Sequence, residues 1–252
     1  MQLDSTRYAL AAFVFCLAVL PVGADDWPRF LGPTGDAKSA ETGLDLNWPP
    51  SGPPLVWESD VGEGYTMPSI VDGKLFEFDR WEDKARLTCR EAATGKELWR
   101  REYTTDYEDM YEYSRGPRGT PVVDGNRVYT YGVEGRLRCH AVEDGKLLWE
   151  VDTKKKFNVV QNFFGVGSTP VIEGDLLIAM VGGSPEGSPG IQTGEVASAG
   201  SAIVAFDKTT GEVRYSNGED LASYASPVLA TIDGRRRGFL FARGGLLGFD
   251  PA

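Results

Sequence analysis

The sequence is poor in soft metal ligands and in positive charge. It contains one histidine and three cysteines, and 26 Lys and Arg residues stand against 37 Asp and Glu, for a net charge of −11. The scarcity of histidine and cysteine excludes a zinc site of the usual kind. The acidic balance argues against a nucleic-acid partner, whose phosphates need clustered positive charge. The 31 glycines indicate many turns and favour a turn-rich β protein.

Long apolar runs are also scarce, and the longest covers residues 9–20 near the N-terminus. It is too short for a transmembrane helix, which needs about 20 residues. Arg7 precedes the run and the small residue Ala24 follows it, as in a secretory signal cleaved after Ala24. The sequence therefore predicts export to the periplasm or the extracellular space. It also predicts three regions: a signal peptide (1–24), an N-terminal extension (25–54) and a repeat domain (55–252).

The repeat is marked by a proline at one end and an aromatic residue at the other. Four units begin with Met-Pro, Thr-Pro or Ser-Pro, at residues 67, 120, 169 and 226. Three carry a turn glycine with an aromatic residue four positions later: Gly95 with Trp99, Gly145 with Trp149, and Gly211 with Tyr215. The starts of these units lie about 50 residues apart, and a repeat of that length indicates a repeat array or a propeller.

The second unit shows what one repeat contains. Four short runs, 121–123, 127–131, 136–140 and 146–151, are separated by turn residues that include two Asp-Gly pairs. Asp-Gly between apolar runs is a strong hairpin signal. The pattern predicts an all-β fold, a β-propeller of four-stranded antiparallel blades. The aromatic residue after the last turn is expected to dock against the next blade.

Cys89 and Cys139 each lie six residues before a turn glycine, at the same position of neighbouring repeats. Although export implies an oxidising compartment, two cysteines at equivalent positions are expected to stay unbridged and to fill the core as small apolar residues. His140, next to Cys139, has no partner pattern, and we expect a structural role.

The motif Ala205-Phe206-Asp207 with Thr210-Gly211, echoed by Thr94-Gly95-Lys96 with Leu98-Trp99, resembles the quinoprotein-like, or PQQ-repeat, β-propeller family. The resemblance covers about residues 55–252, and the opening DWPRFLGPTGD looks like the start of secreted members. It implies a ring of seven or eight blades. The family includes dehydrogenases, envelope assembly factors and sensor domains, so the resemblance alone does not select a function.

About three and a half blades can be counted in the sequence. Leu55-Val56-Trp57 resembles an outer strand without its own blade, and residues 246–252 align with the run that precedes Thr210-Gly211. One orphan strand, three full blades and one partial blade are fewer than the resemblance implies. The sequence therefore predicts a truncated chain or a fragment of a larger ring.

The long connections are expected on one face of the propeller, and function tends to lie on such loops. They are residues 104–119, 154–168, 182–200 and 217–225. The candidate ligand-binding residues are Tyr65, Tyr113, Arg115, Arg118 and Tyr224. Tyr65, Arg118 and Tyr224 each precede a repeat start by two residues, so they should meet at the channel mouth.

An arginine between aromatic rings could clamp an anionic or planar ligand. The alternative is that Arg118 only pairs with a loop carboxylate such as Asp109. Gly167 holds the fourth equivalent place and is expected to leave a gap, and Lys154–Lys156 is expected to be a solvated strand end.

Two function classes remain open. The first is a non-catalytic exported scaffold that binds a protein or a small ligand on its long-loop face, with no cofactor and no metal. The alternative implied by the resemblance is a fragment of a PQQ-dependent dehydrogenase, which would need PQQ stacked on an axial Trp, a bound Ca²⁺ and a catalytic Asp. Such enzymes often carry an adjacent cysteine pair, which this sequence lacks. No catalytic residue can be assigned.

Overall fold

The structure is a computed structural model and describes residues 25–160, 162–191 and 194–251. The predicted signal peptide, residues 1–24, lies outside the described residues.

The first sheet contains β1 (Ser69–Val71), β2 (Lys74–Trp81), β3 (Lys84–Glu91) and β4 (Glu97–Thr104). The second contains β5 (Val122–Asp124), β6 (Arg127–Tyr131), β7 (Arg136–Ala141) and β8 (Leu147–Asp152), followed by the short helix α1 (Thr153–Lys156). The third contains β9 (Val171–Glu173), β10 (Leu176–Met180), β11 (Ile203–Asp207) and β12 (Val213–Asn217). The fourth contains β13 (Val228–Ile232), β14 (Arg235–Phe241) and β15 (Leu246–Phe249).

Each sheet is antiparallel and its strands are ordered as they occur along the chain. The first three sheets have four strands and the fourth has three. This architecture confirms the predicted partial β-propeller, with each sheet as one blade. In the second blade, every observed strand lies within one residue of its predicted bounds.

Alternate side chains of the second and third strands of each blade point towards the following blade, on what we call its front face. In the first blade Phe76, Phe78, Leu87 and Cys89 pack with Val123 and Val128 of the second. In the second blade Tyr129, Tyr131, Leu137 and Cys139 pack with Leu177 and Ala179 of the third. In the third blade Ile178, Met180, Ile203 and Ala205 pack with Leu240 and Ala242 of the fourth. Both cysteines are buried and unbridged, as predicted.

A tryptophan also links the first blade to the second and the second blade to the third. The Trp99 indole donates a hydrogen bond from Nε1 to the Val142 carbonyl (3.0 Å) and lies against Gly145. In the second blade, the Trp149 indole donates a hydrogen bond from Nε1 to the Lys208 carbonyl (3.2 Å) and lies against Gly211. Both rings are more than nine-tenths buried, which confirms their predicted place at the blade boundaries. The glycine is needed because a Cβ in its place would meet the indole ring.

The hydroxyl at each repeat start bridges neighbouring blades near the axis. The Met67 N–H donates to Thr120 Oγ1 (3.3 Å), the Thr120 N–H donates to Thr169 Oγ1 (3.0 Å), and the Thr169 N–H donates to Ser226 Oγ (2.9 Å). Proline, which lacks an N–H, follows each of these positions in the sequence. The Ser/Thr-Pro signature of the repeat thus has a physical reason, because the hydroxyl satisfies the free N–H of the preceding blade.

One local prediction is wrong. Lys154–Lys156 does not end a strand but belongs to α1, a single helical turn between the second and third blades. The Asp152 carboxylate caps this turn by accepting from the Lys155 N–H (2.9 Å), which favours helix over continued strand. The three lysines are exposed, as predicted.

We expect Gly211→Ala to destabilise the protein more than Gly174→Ala. Both glycines have positive φ (76° and 56°), which costs an alanine about 1–2 kcal/mol. An added Cβ at Gly211 would lie 2.8 Å from the Trp149 ring, whereas nothing lies within 4 Å at Gly174. Urea denaturation of both variants measures the difference. Equal losses would contradict a tight Trp149–Gly211 contact.

Candidate binding surface

The long connections lie together at one face of the blades, which we call the loop face. The connection after β4 lies beside the turn between β2 and β3, and the Thr105 N–H donates a hydrogen bond to the Asp83 carbonyl in that turn (2.9 Å). The equivalent bond in the second blade runs from the Thr153 N–H to the Gly135 carbonyl (2.9 Å). Short turns connect the strands at the opposite ends. The long connections thus share one face of the blades, as the sequence predicts.

Aromatic side chains from the segment before β1 and from three of the long connections meet on this face and form what we call the aromatic cluster. Its members are Tyr65, Tyr111, Tyr113, Phe163, Phe164 and Tyr224. The Phe164 ring lies at the centre, with its centroid 5.7 Å from Tyr111, 6.0 Å from Tyr113 and 5.5 Å from Tyr224. Tyr113 and Tyr65 expose 71% and 62% of their surface. Much of the cluster is therefore accessible to a partner.

Arg118 lies beneath these rings and pairs with Asp109. Its Nη2 donates to Asp109 Oδ2 (3.0 Å), and the side chains are 9% and 0% exposed. The guanidinium carbon also lies 5.5 Å from the Tyr65 ring centroid and 6.0 Å from that of Phe164. Arg118 therefore makes both contacts that the sequence analysis considered: it pairs with the loop carboxylate Asp109, and it lies against aromatic rings.

The second candidate arginine, Arg115, holds two loops together. Its Nη2 donates to Glu63 Oε1 (2.6 Å) and its backbone N–H donates to Glu63 Oε2 (3.0 Å). These hydrogen bonds hold the pKa of Glu63 below its ordinary value. The structure therefore places Arg115 on Glu63 and not among the aromatic rings.

Tyr224 fills the place that was expected to be a gap. A Cβ at Gly167 would lie 3.1 Å from the Tyr224 ring, so the missing side chain makes room for it. The Tyr224 hydroxyl accepts a hydrogen bond from the Phe164 N–H (3.2 Å). Tyr65, Arg118 and Tyr224 do gather in one region: Arg118 lies against Tyr65 and Phe164, and Phe164 lies against Tyr224.

Sequence reasoning missed Phe163 and Phe164. The available signal was this adjacent aromatic pair in the 154–168 connection. Tyr107, in the loop that carries Arg118, is 5% exposed and packs inside. Burial raises its pKa to about 12. Tyr107 supports the surface from below.

A cleft lies beside the cluster, between the second and third blades. Its lining is mainly apolar and includes Val133, Val166, Met180 and Leu221. Ser168 also lines it, and its buried Oγ has no hydrogen-bond partner among the described residues. The cleft is therefore a largely apolar extension of the loop face.

No three His, Cys, Asp or Glu side chains group together as a metal site in the part of the chain that the structure describes. His140 is 2% exposed, and its Nδ1 lies 2.8 Å from the Gly145 carbonyl oxygen. Burial lowers its pKa to about 4. Its place in the second blade is that of a structural residue. Within the described ranges, no helix is long and apolar enough to span a membrane.

Comparison with known proteins gives the family. The family model described as outer membrane protein assembly factor BamB matches residues 50–184 and 83–252. No curated protein matches the chain in sequence.

Similar solved structures include a europium-containing methanol dehydrogenase, with 17% identity and a TM-score of 0.47 over 73% of this chain and 39% of that one. BamB from Moraxella catarrhalis has 15% identity and a TM-score of 0.45 over 75% and 49% of the two chains. The quinohemoprotein alcohol dehydrogenase from Comamonas testosteroni has 15% identity and a TM-score of 0.47 over 89% and 47%. The chain thus spans less than half the length of each of these three proteins. By the family model and its repeats, the chain belongs to the PQQ-repeat β-propeller family described as outer membrane protein assembly factor BamB.

Proposed function

We propose that this chain is an exported, non-catalytic scaffold that binds a protein partner on its loop face through the aromatic cluster. The observation that carries the proposal is the exposure of stacked rings on loops that a rigid set of blades supports. Tyr113 stacks on Phe164 with an angle of 17° between the rings while it remains 71% exposed. Tyrosine is enriched in protein interfaces because it buries a large area at little entropic cost.

The chemistry of the cluster favours a protein segment with apolar or aromatic side chains. Arg118 is neutralised by Asp109, and Arg115 by Glu63, so the surface does not offer two free positive charges to an anion. The family description supports a role in assembling proteins at the outer membrane. Export, predicted from residues 1–24, would place the chain in the same compartment.

The dehydrogenase alternative would need a stacked quinone, a bound Ca²⁺ and a catalytic Asp. The cluster supplies rings on which a planar quinone could stack. No group of three or more His, Cys, Asp or Glu side chains that could hold a metal ion occurs among the described residues. We therefore derive no catalytic step. Titrating the purified protein with PQQ and Ca²⁺ tests this alternative, since a bound-quinone absorbance with dye-linked alcohol oxidation would favour the dehydrogenase.

The scaffold proposal predicts that a photo-crosslinker at Tyr113 captures a defined protein partner in the producing cells. The same crosslinker at Leu148 is the matched control, because Leu148 is also exposed (43%) but lies on the outer strand β8. Mass spectrometry identifies the captured protein. It also checks export, because the recovered chain is expected to begin at Asp25. Equal capture from both positions, or none from Tyr113, would contradict binding through the cluster.

A further inference from the structure

The cleft between the second and third blades has an apolar interior and a basic rim. Met180 and Val133, which line it, are each 2% exposed, and Leu221 is a further apolar residue of the lining. Lys154 and Arg243 belong to the same lining, but both are exposed. The two positive charges therefore lie where the cleft meets solvent. Binding sites for small molecules commonly combine an apolar lining with a few polar groups that fix the orientation of the ligand.

The two cations of the rim are not neutralised by the protein. Neither Lys154 nor Arg243 forms an ion pair with any described residue. The one acidic side chain in the described lining is Glu134, whose Oε1 accepts a hydrogen bond from the Tyr103 hydroxyl (2.7 Å). Burial raises the pKa of Glu134, which favours its neutral form. The cleft therefore offers positive charge that the protein itself does not use.

A buried hydroxyl of the lining also lacks a partner. Ser168 is 1% exposed, and its Oγ forms no hydrogen bond with any described residue. Gly167, the residue before it, lies against Tyr224, since a Cβ there would be 3.1 Å from the tyrosine ring. Burial raises the pKa of Tyr224 and the positive charge of Arg243 opposes this rise, which places Arg243 near the same tyrosine. The unpaired hydroxyl and one unpaired cation thus lie in the same part of the cleft.

We propose that this cleft binds a small carboxylate with a short apolar tail. The carboxylate lies at the rim, where Lys154 and Arg243 neutralise it. One of its oxygens accepts the hydrogen bond that the Ser168 hydroxyl does not make within the protein, and the tail lies against Met180 and Leu221. Hydrogen bonds to an ionised group are stronger than neutral ones, and the tail gains from leaving water. An anion without a tail, or a tail without a charge, would use only part of the site.

The size of the cleft and the bonding of its backbone favour a small free acid. The cleft volume of about 40 Å³ has room for about three water-sized groups, so the tail is limited to a few carbon atoms. A peptide segment would bring N–H groups that need acceptors. Carbonyls of the lining already accept hydrogen bonds, Val133 from the Val166 N–H (2.8 Å) and Leu221 from the Arg243 N–H (3.1 Å). An ionised acid brings no such donors.

Isothermal titration calorimetry of the purified chain with hexanoate tests the site. Hexanoate is expected to bind more tightly than acetate, which lacks the tail, and than hexan-1-ol, which has the tail but no charge. Dodecanoate should gain nothing over hexanoate, because the longer chain cannot enter the cleft. Equal affinity for hexanoate and hexan-1-ol, or no measurable binding of hexanoate, would overturn the proposal. Tighter binding of dodecanoate would contradict the short tail.

Arg243→Ala tests the role of the rim cations. It is expected to weaken hexanoate binding by about tenfold, because a hydrogen bond to a charged group is lost, and Lys154→Ala should act in the same direction. Arg235→Ala is the matched control, since Arg235 is an exposed arginine of the same blade that does not line the cleft. Circular dichroism checks that all three variants are folded. The same hexanoate affinity for Arg243→Ala and Arg235→Ala would remove Arg243 from the site.

Ser168→Ala separates binding from stability. It should weaken hexanoate binding without lowering the melting temperature, because the hydroxyl makes no hydrogen bond to the described protein. Ser184→Ala is the matched control, since Ser184 is 3% exposed and its Oγ is also unpaired among the described residues, but it does not line the cleft. This control should change neither quantity. Unchanged hexanoate binding by Ser168→Ala would contradict the proposed contact with the carboxylate.

Discussion

Trp149→Ala is expected to lower the free energy of unfolding by about 3–5 kcal/mol, the usual cost of truncating a buried tryptophan. The Trp149 ring is 9% exposed and packs on Tyr129 with 5.9 Å between the ring centroids. It also holds the third blade by the hydrogen bond to the Lys208 carbonyl. The substitution would leave a cavity between two blades and remove the contact that fixes their spacing.

Urea denaturation monitored by far-ultraviolet circular dichroism measures this loss. Trp48→Ala is the matched control, because Trp48 is 57% exposed and should change stability by less than about 0.5 kcal/mol. A similar small effect at both positions would show that the blade boundary does not depend on the indole.

Arg118→Ala is expected to cost about 3–5 kcal/mol, because removing one partner of a buried ion pair leaves the other charge uncompensated. Asp109 has no exposed side-chain surface, and it would keep the Tyr111 and Ser114 backbone N–H groups as donors but lose its positively charged partner. A double-mutant cycle with Asp109→Asn isolates the pairwise contribution. Additive losses would contradict a direct coupling of the two side chains.

The same variant separates structural from binding roles on the loop face. If Arg118 only supports the loop, Arg118→Ala should lower the melting temperature while the crosslinker at Tyr113 still captures the partner below that temperature. With the crosslinker moved to Tyr65, which is 62% exposed on the same cluster, Tyr113→Ala should do the reverse, because the exposed Tyr113 side chain contributes little to packing. Loss of capture from both variants at a temperature where both are folded would place Arg118 in contact with the partner.

Much of the fold was predictable because the repeat encodes it locally. The Asp-Gly and Thr-Gly turns need positive φ, and the short runs between them alternate between two buried faces, so strand bounds follow from residue spacing. The aromatic residue four positions after each glycine was assigned to the blade boundary, and Trp99 and Trp149 lie there. The helical turn at Lys154–Lys156 was not predicted, because it depends on a single capping carboxylate, Asp152.

The candidate surface was only partly predictable, because loops lack the regular residue spacing from which the positions of strand residues follow. Tyr65, Tyr113 and Tyr224 were identified from their distance to the repeat starts or their composition, and they do lie on the aromatic cluster. Phe164, which contacts Tyr113 and Tyr224, comes from a different loop. Its contact with Tyr224 depends on Gly167 and on the hydrogen bond from the Phe164 N–H to the Tyr224 hydroxyl, between residues 60 positions apart.

By itself the sequence determined the all-β class, the four-stranded blades, the positions of the boundary tryptophans and the unbridged state of Cys89 and Cys139. These features depend on short-range spacing, which turn chemistry and alternating burial translate directly into structure. Only the tertiary structure decided that Arg118 is paired with Asp109, that Arg115 holds Glu63, and that Phe164 lies against Tyr113 and Tyr224. Such features depend on distant segments meeting in space, and their energies are set by packing and desolvation that no local pattern records.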